Sequence, residues 1–247
     1  MRKEAKYRTI VVSDIHLGSK FSKVDEVIDF LEHNSCETLI LNGDIIDGWA
    51  ILRGNRDKWL QKHSDFARLI IKLQENTRIV YLRGNHDDFL SRLLPLTMAN
   101  ISLVNDMVYE SKGKKYYIFH GDIFDNVTTG FKWAAKLGDI GYNILLSINK
   151  VYNQWRARRG LAYHSISQGI KHLVKRTVSK HSKFEQQVVA AARKKHCDGA
   201  ICGHIHRPEI SLIDDILYLN SGDWVESLSA LVEDFSGQWK LYFHPQH

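Results

Sequence analysis

The 247-residue chain is long enough to bury one sizeable core, and nothing in its length requires a second independently folding domain. Its three cysteines, Cys36, Cys197 and Cys202, are odd in number and lack CxxC spacing, which argues against a disulfide framework and a structural zinc site and predicts reduced thiols in a cytoplasmic protein. The net charge of +6 is uneven: residues 125–196 hold fourteen Lys and Arg against Asp125, Asp139 and Glu185, so that this segment is +11 and the rest of the chain −5.

The opening stretch, MRKEAKYRTIVVSD, has basic residues but only a short apolar run, far less than a signal peptide or membrane span needs, so the mature protein is expected to start near Met1. Tyr7 to Val12 is rich in β-branched residues and ends in Ser-Asp, and Thr38 to Leu41, Arg78 to Leu82, Tyr116 to Phe119 and Gly199 to Ile201 repeat that plan of a short apolar strand with a polar end. Between them, Lys23 to His33 and Asp57 to Asn76 carry apolar residues at helical spacing. This alternation predicts α/β layering. In such sheets the loops leaving the carboxyl ends of the strands converge, so that residues distant in sequence form one site. From Asp125 to about Lys183 the alternation stops, and a mostly helical insertion is expected over 125–183 within a single domain spanning 1–247. Ile216 to Leu219, Leu228 to Val232 and Gln238 to Phe243 return to strands.

Each strand end presents metal-capable side chains: Asp14-Ile-His16, Gly43-Asp44-Ile-Ile-Asp47, Gly84-Asn85-His86-Asp87, His120-Gly-Asp122 and Gly203-His204-Ile-His206. One such cluster alone reads as readily as a turn residue or a satisfied core histidine. Five in this order, each after a predicted strand, make chance clustering very unlikely and point to a metal site. Carboxylate, imidazole and amide donors suit borderline cations such as Mn, Fe, Zn or Co better than Ca, which prefers an all-oxygen shell.

This order resembles the calcineurin-like metallophosphoesterase superfamily, whose pattern of DxH, GDxxD, GNHD or GNHE, a His-Gly segment and GHxH is matched from Asp14 to His206. The resemblance implies a layered β-sandwich flanked by helices and a site for two divalent metal ions, with manganese favoured over iron or zinc. One metal would be held by Asp14, His16, Asp44 and His206, the other by Asp44, Asn85, His120 and His204, with Asp44 as the bridge. Two cations about 3.5–4 Å apart clamp the attacking and leaving oxygens of an in-line displacement, and coordination lowers the pKa of water toward about 7. By the same pattern His86 stands outside the ligand set, contacting a phosphate oxygen or protonating the leaving alkoxide, and Asp87 is expected to orient it. Asp47 and Asp122 are expected to fix histidine tautomers or support the turns.

Within the insertion, Trp133, Leu137, Ile140, Ile144, Ile148, Val151 and Trp155 draw one helical stripe. It either packs the insertion onto the body or forms an apolar trough for acyl chains, with Trp133, Tyr142, Tyr152 and Trp155 near a lipid interface. An insertion rich in aromatics and Arg at this place, together with Asn85 to Leu90, resembles the UDP-2,3-diacylglucosamine pyrophosphatase branch, which releases UMP and a lipid monophosphate. That resemblance implies a phosphorylated lipid or nucleotide substrate, peripheral attachment to an anionic membrane on its inner face, and Arg156, Arg158 and Arg159 as phosphate contacts. One departure stands out, because many members of that branch have Arg where this chain has His86. Histidine there is commoner in general phosphodiesterases and phosphatases, and a nuclease whose basic insertion holds nucleic acid is the alternative reading. A non-catalytic scaffold is a third, disfavoured because every ligand position is filled.

Overall fold

A computed structural model describes residues 6–52, 60–124, 149–161 and 183–245 of the chain. Strands β1 (Tyr7–Val12), β2 (Cys36–Asn42) and β3 (Arg78–Leu82) alternate with helices α1 (Val24–His33), α2 (Gly48–Leu52) and α3 (Gln61–Leu73). There follow β4 (Leu96–Met98), β5 (Ile101–Val104), β6 (Asp106–Ser111) and β7 (Lys114–Phe119). Helix α4 (Lys183–Lys194) then leads into β8 (Gly199–Cys202), β9 (Glu209–Ile213), β10 (Ile216–Asn220), β11 (Ser229–Glu233) and β12 (Trp239–Phe243).

The strands form two sheets, one in the order β12-β11-β1-β2-β3-β5-β4 and one in the order β6-β7-β8-β10-β9. β1, β2, β3 and β5 pair in parallel, as do β7, β8 and β10. The period of two along β1 explains the layering. Ile10 and Val12 point to one side, where Leu39, Leu41 and Ile79 join Val24, Val27, Phe30, Phe66 and Leu69 of α1 and α3. Val11 points to the other, where Ile40, Val80 and Leu82 meet Tyr116, Ile118, Ile201 and Leu219 of the second sheet. With both faces covered, these strands read as continuous apolar runs, as buried parallel strands do.

The fold is therefore the expected α/β arrangement of two sheets with flanking helices. Strands β4, β5, β6 and β9 go beyond the strands the sequence predicts: β4 is wholly exposed, β6 alternates exposed with less exposed residues, β9 buries none of its residues, and four-residue β5 buries only Leu103, so none carries the fully buried apolar run of the central strands. The chain divides into two compact units, Met1–Asp122 with Gln187–His244 and Ile123–Gln186 with Pro245–His247. Most of the predicted insertion, including Trp133 and Tyr142, lies outside the described residues; of it, 149–157 is helical. The three cysteines are free and buried. Among the described residues no helix is long and apolar enough to cross a membrane.

Candidate metal centre

The carboxyl ends of the parallel strands deliver every clustered motif to one place. Asp14 and His16 follow β1, Asp44 follows β2, Asn85 and His86 follow β3, His120 follows β7, and His204 and His206 follow β8. Five of these residues, Asp14, His16, Asp44, His204 and His206, have φ between 52° and 66°. A left-handed backbone is costly for non-glycine residues and persists where the surroundings impose it. Here it turns the chain sharply enough to aim successive side chains inward. Close approach also demands glycine: a Cβ at Gly84 would lie 2.2 Å from Asp44 Oδ1, and one at Gly203 2.5 Å from Asp14 Oδ2.

Two groups of donors result, Asp14 with His16 and His206, and Asp44 with His120 and His204, the atoms within each lying within 4.8 Å of one another. Asp14 Oδ1 lies 3.2 Å from His206 Nε2 and 3.9 Å from His16 Nε2. Asp44 Oδ2 lies 3.2 Å from His120 Nε2. A third group of His16, Asp44 and His86 joins the two. Asn85 sits beside His86, whose backbone N–H donates to Asp44 Oδ1 at 2.8 Å.

Asp14 Oδ1, Asn85 Oδ1 and His120 Nε2 are buried and make no hydrogen bond. Leaving such an atom unsatisfied costs roughly 1–3 kcal/mol, and a cation held by these atoms removes that cost. His120 Nδ1 lies 2.9 Å from the backbone oxygen of Asn42 and donates to it, which fixes Nε2 as the nitrogen facing the centre. The donors present thus fit divalent cations of the borderline class.

Charge is finely opposed here. Burial raises the Asp14 carboxyl, but the His206 and His120 imidazoles outweigh it and bring it down to about 2. Asp44 is likewise held well below its usual range, burial being overcome by His120. Burial depresses His120, yet Asp44 and Asp14 lift it well above the ordinary histidine value. His16 is pushed down to about 4 by burial and by the charge of His86.

The structure corrects the expected partner of His86. Asp87 turns its carboxylate away, accepting hydrogen bonds from the Tyr81 hydroxyl at 2.7 Å, the Ile45 N–H at 3.0 Å and the Gly84 N–H. Only the Gly84 bond closes its own turn; the other two tie the turn to β3 and to the loop after β2. Asp47 faces the imidazole instead, with Oδ1 3.1 Å from His86 Nδ1. Burial raises the Asp47 carboxyl, but His86 and His16 bring it below the usual range. Asp122 pairs with Arg83 at 3.5 Å. Two neighbours escaped the sequence reading. Trp49 packs at a tilt against His86 with ring centroids 4.1 Å apart, and buried Asp223 places Oδ1 3.8 Å from His206 Nδ1. Asp223 had a signal in the sequence, since Asn-Ser-Gly-Asp after β10 repeats the plan of an apolar strand with a polar end.

Arg156, Arg158 and Arg159 belong to the second unit. The Arg159 guanidinium lies 4.2 Å from the Trp155 ring centroid and that of Arg156 5.7 Å from the Tyr152 ring.

The fold and the grouped donors define a phosphoesterase, and the model of the calcineurin-like phosphoesterase family matches residues 7–208. The chain belongs to that family and is a hydrolase acting on phosphoester bonds. The UDP-2,3-diacylglucosamine hydrolase of Vibrio cholerae serotype O1 is 24% identical over 261 residues, covering 97% of this chain and 99% of its own. The hydrolase of the same name from Shewanella oneidensis is 22% identical over 252 residues, covering 93% and 95%. Among solved structures, an archaeal phosphodiesterase covers 95% of this chain and 98% of its own at 14% identity and a TM-score of 0.44.

Proposed function

We propose that this phosphoesterase uses two divalent metal ions, manganese favoured, to hydrolyse the pyrophosphate of a UDP-linked diacylated glucosamine or a similar nucleotide-diphospho-lipid. The end-to-end likeness to the Vibrio cholerae hydrolase carries the choice of substrate. Asp14, His16, Asp44 and His206 would hold one ion and Asp44, Asn85, His120 and His204 the other. When bound, the ions supply positive charge at the phosphoryl oxygens and a water acidic enough to serve as nucleophile at neutral pH.

The remaining work falls to the chain. Asp47 keeps the proton of His86 on Nδ1, so that Nε2 faces the centre, 4.0 Å from Asp44 Oδ2. A protonated His86 donates from Nε2 to the departing oxygen. Asp223 and Asn42 steady His206 and His120. Arg156, Arg158 and Arg159 contact substrate phosphates, and the basic segment brings the enzyme to the inner face of an anionic membrane.

The test is metal-depleted enzyme reconstituted with Mn and given UDP-2,3-diacylglucosamine in detergent. Release of UMP supports the reading, and its absence beside cleavage of single-stranded DNA with steep salt dependence overturns the substrate. His86 favours that second reading, a general phosphodiesterase or nuclease.

A further inference from the structure

Trp49 is built into the surroundings of His86. Its indole lies against the imidazole with centroids 4.1 Å apart and planes 34° from parallel. On another side His16 meets the same ring edge-on, at 4.6 Å and 86°. Asp47 holds Nδ1 at 3.1 Å. Beside that polar contact, two aromatic walls, the indole face and the His16 ring, restrict rotation of the imidazole about its side-chain bonds.

The backbone explains why Trp49 arrives where it does. Asp47 Oδ1 accepts from the Ala50 N–H at 2.8 Å, and Gly48 N–H donates to the His86 carbonyl oxygen at 3.0 Å. A Cβ at Gly48 would lie 2.8 Å from both that oxygen and Phe89 Cδ1, so only glycine permits this contact. One short turn, Asp47-Gly48-Trp49, therefore grips the His86 loop by its backbone, its ring nitrogen and its ring face.

We propose that Trp49 is a positioning residue for the proton transfer, holding the imidazole so that Nε2 stays turned to the leaving group. This rests on the reading of His86 as the proton donor. In that step the water oxygen bonds to phosphorus as the phosphorus–oxygen bond to the leaving group breaks, the departing oxygen takes the proton from Nε2, and the proton given up by the water restores His86.

The test compares Trp49→Ala, Trp49→Phe and Trp49→Leu with His86→Ala in the metal-loaded enzyme. The substrates are two phosphodiesters, one with a p-nitrophenolate leaving group and one with a simple alkoxide. Positioning predicts that Trp49→Ala lowers kcat about tenfold on the alkoxide substrate and little on p-nitrophenolate, that KM is unchanged, and that Trp49→Phe restores what Trp49→Leu does not. Adding Trp49→Ala to His86→Ala costs nothing further. Histidine ring spectra of the metal-free protein give a second readout: the His86 ring protons lie upfield under the indole ring current, keep that position in Trp49→Phe and lose it in Trp49→Ala. Losses in the double variant that multiply, or a loss confined to KM, overturn the positioning role. A His86→Ala enzyme with equal losses on both substrates overturns instead the reading of His86 on which it rests.

Discussion

His86 Nδ1 lies 3.1 Å from Asp47 Oδ1, although Asp87 is its neighbour in sequence. The two carboxylates therefore separate by role, and substitution should separate them by measurement. Asp47→Asn keeps an oxygen to cap the Ala50 N–H but loses the charge facing His86. It should lower kcat on poor leaving groups by about tenfold to a hundredfold with only a small fall in melting temperature, the part of stability that the depressed Asp47 carboxyl contributes. Asp87→Asn should do the reverse, because its buried carboxylate accepts three hydrogen bonds that one amide oxygen cannot all replace. The expected cost is about 1–3 kcal/mol of stability. Thermal melts beside leaving-group kinetics check both; an Asp87→Asn enzyme with full stability and lost proton transfer would return the orienting role to Asp87.

The proton on His120 should be released when metal binds. In the metal-free protein Asp44 and Asp14 keep His120 protonated at neutral pH, since its pKa stands well above the usual histidine value. Its contribution to stability is complete below the unfolded pKa near 6.5 and is lost as pH rises through the folded value. A cation must displace that proton, so the apparent affinity should rise with pH by about tenfold per unit for each proton released. Calorimetry in two buffers of different ionisation enthalpy counts the protons. His120→Asn should release about one fewer, and an unchanged count would remove His120 from the ligand set.

Much of this centre was legible because each donor follows an apolar strand: Val12 leads to Asp14, Leu41 to Asp44, Leu82 to Asn85, Phe119 to His120 and Cys202 to His204. Strand polarity then brings them together. Trp49 and Asp47 were less legible as partners of His86, because the contact depends on how the start of α2 meets the loop after β3, and that is a matter of backbone hydrogen bonds between segments 38 residues apart, Gly48 to His86. Edge strands such as β4 (Leu96–Met98) carry no period to read, since all three residues are exposed.

Gly84→Ala should cost metal rather than fold. Its Cβ would lie 2.2 Å from Asp44 Oδ1 and 2.5 Å from the Asp44 nitrogen, so Asp44 must move. Overpacking of this kind costs about 1–3 kcal/mol, but the larger consequence falls on a carboxylate expected to bridge two ions. Metal analysis after gel filtration should show reduced content in both sites. Gly113→Ala is the control: its φ of +75° makes alanine strained, while nothing lies within 4 Å of the added carbon. That variant should lose about 1–2 kcal/mol and keep its metal.

Trp224 ties the helical layer to the centre through its indole on one side and its backbone on the other, and removing the indole should be felt in both. It is fully buried, with its ring 5.3 Å from that of Phe30 in α1. Its backbone N–H donates to the Asp14 carbonyl oxygen at 3.1 Å, and its own carbonyl oxygen accepts from the Lys23 N–H at 2.9 Å. Trp224→Ala leaves a cavity between β1 and α1, at a cost of about 3–5 kcal/mol. Because Asp14 lies on the strained turn that this residue braces, the metal-free variant should also bind the first cation more weakly. Trp224→Phe fills most of the cavity and should recover the greater part of both effects. Denaturant titration with metal-binding isotherms on the three proteins decides the matter: a stability loss in Trp224→Ala with unaltered affinity would mean that Asp14 is held by its own strand alone.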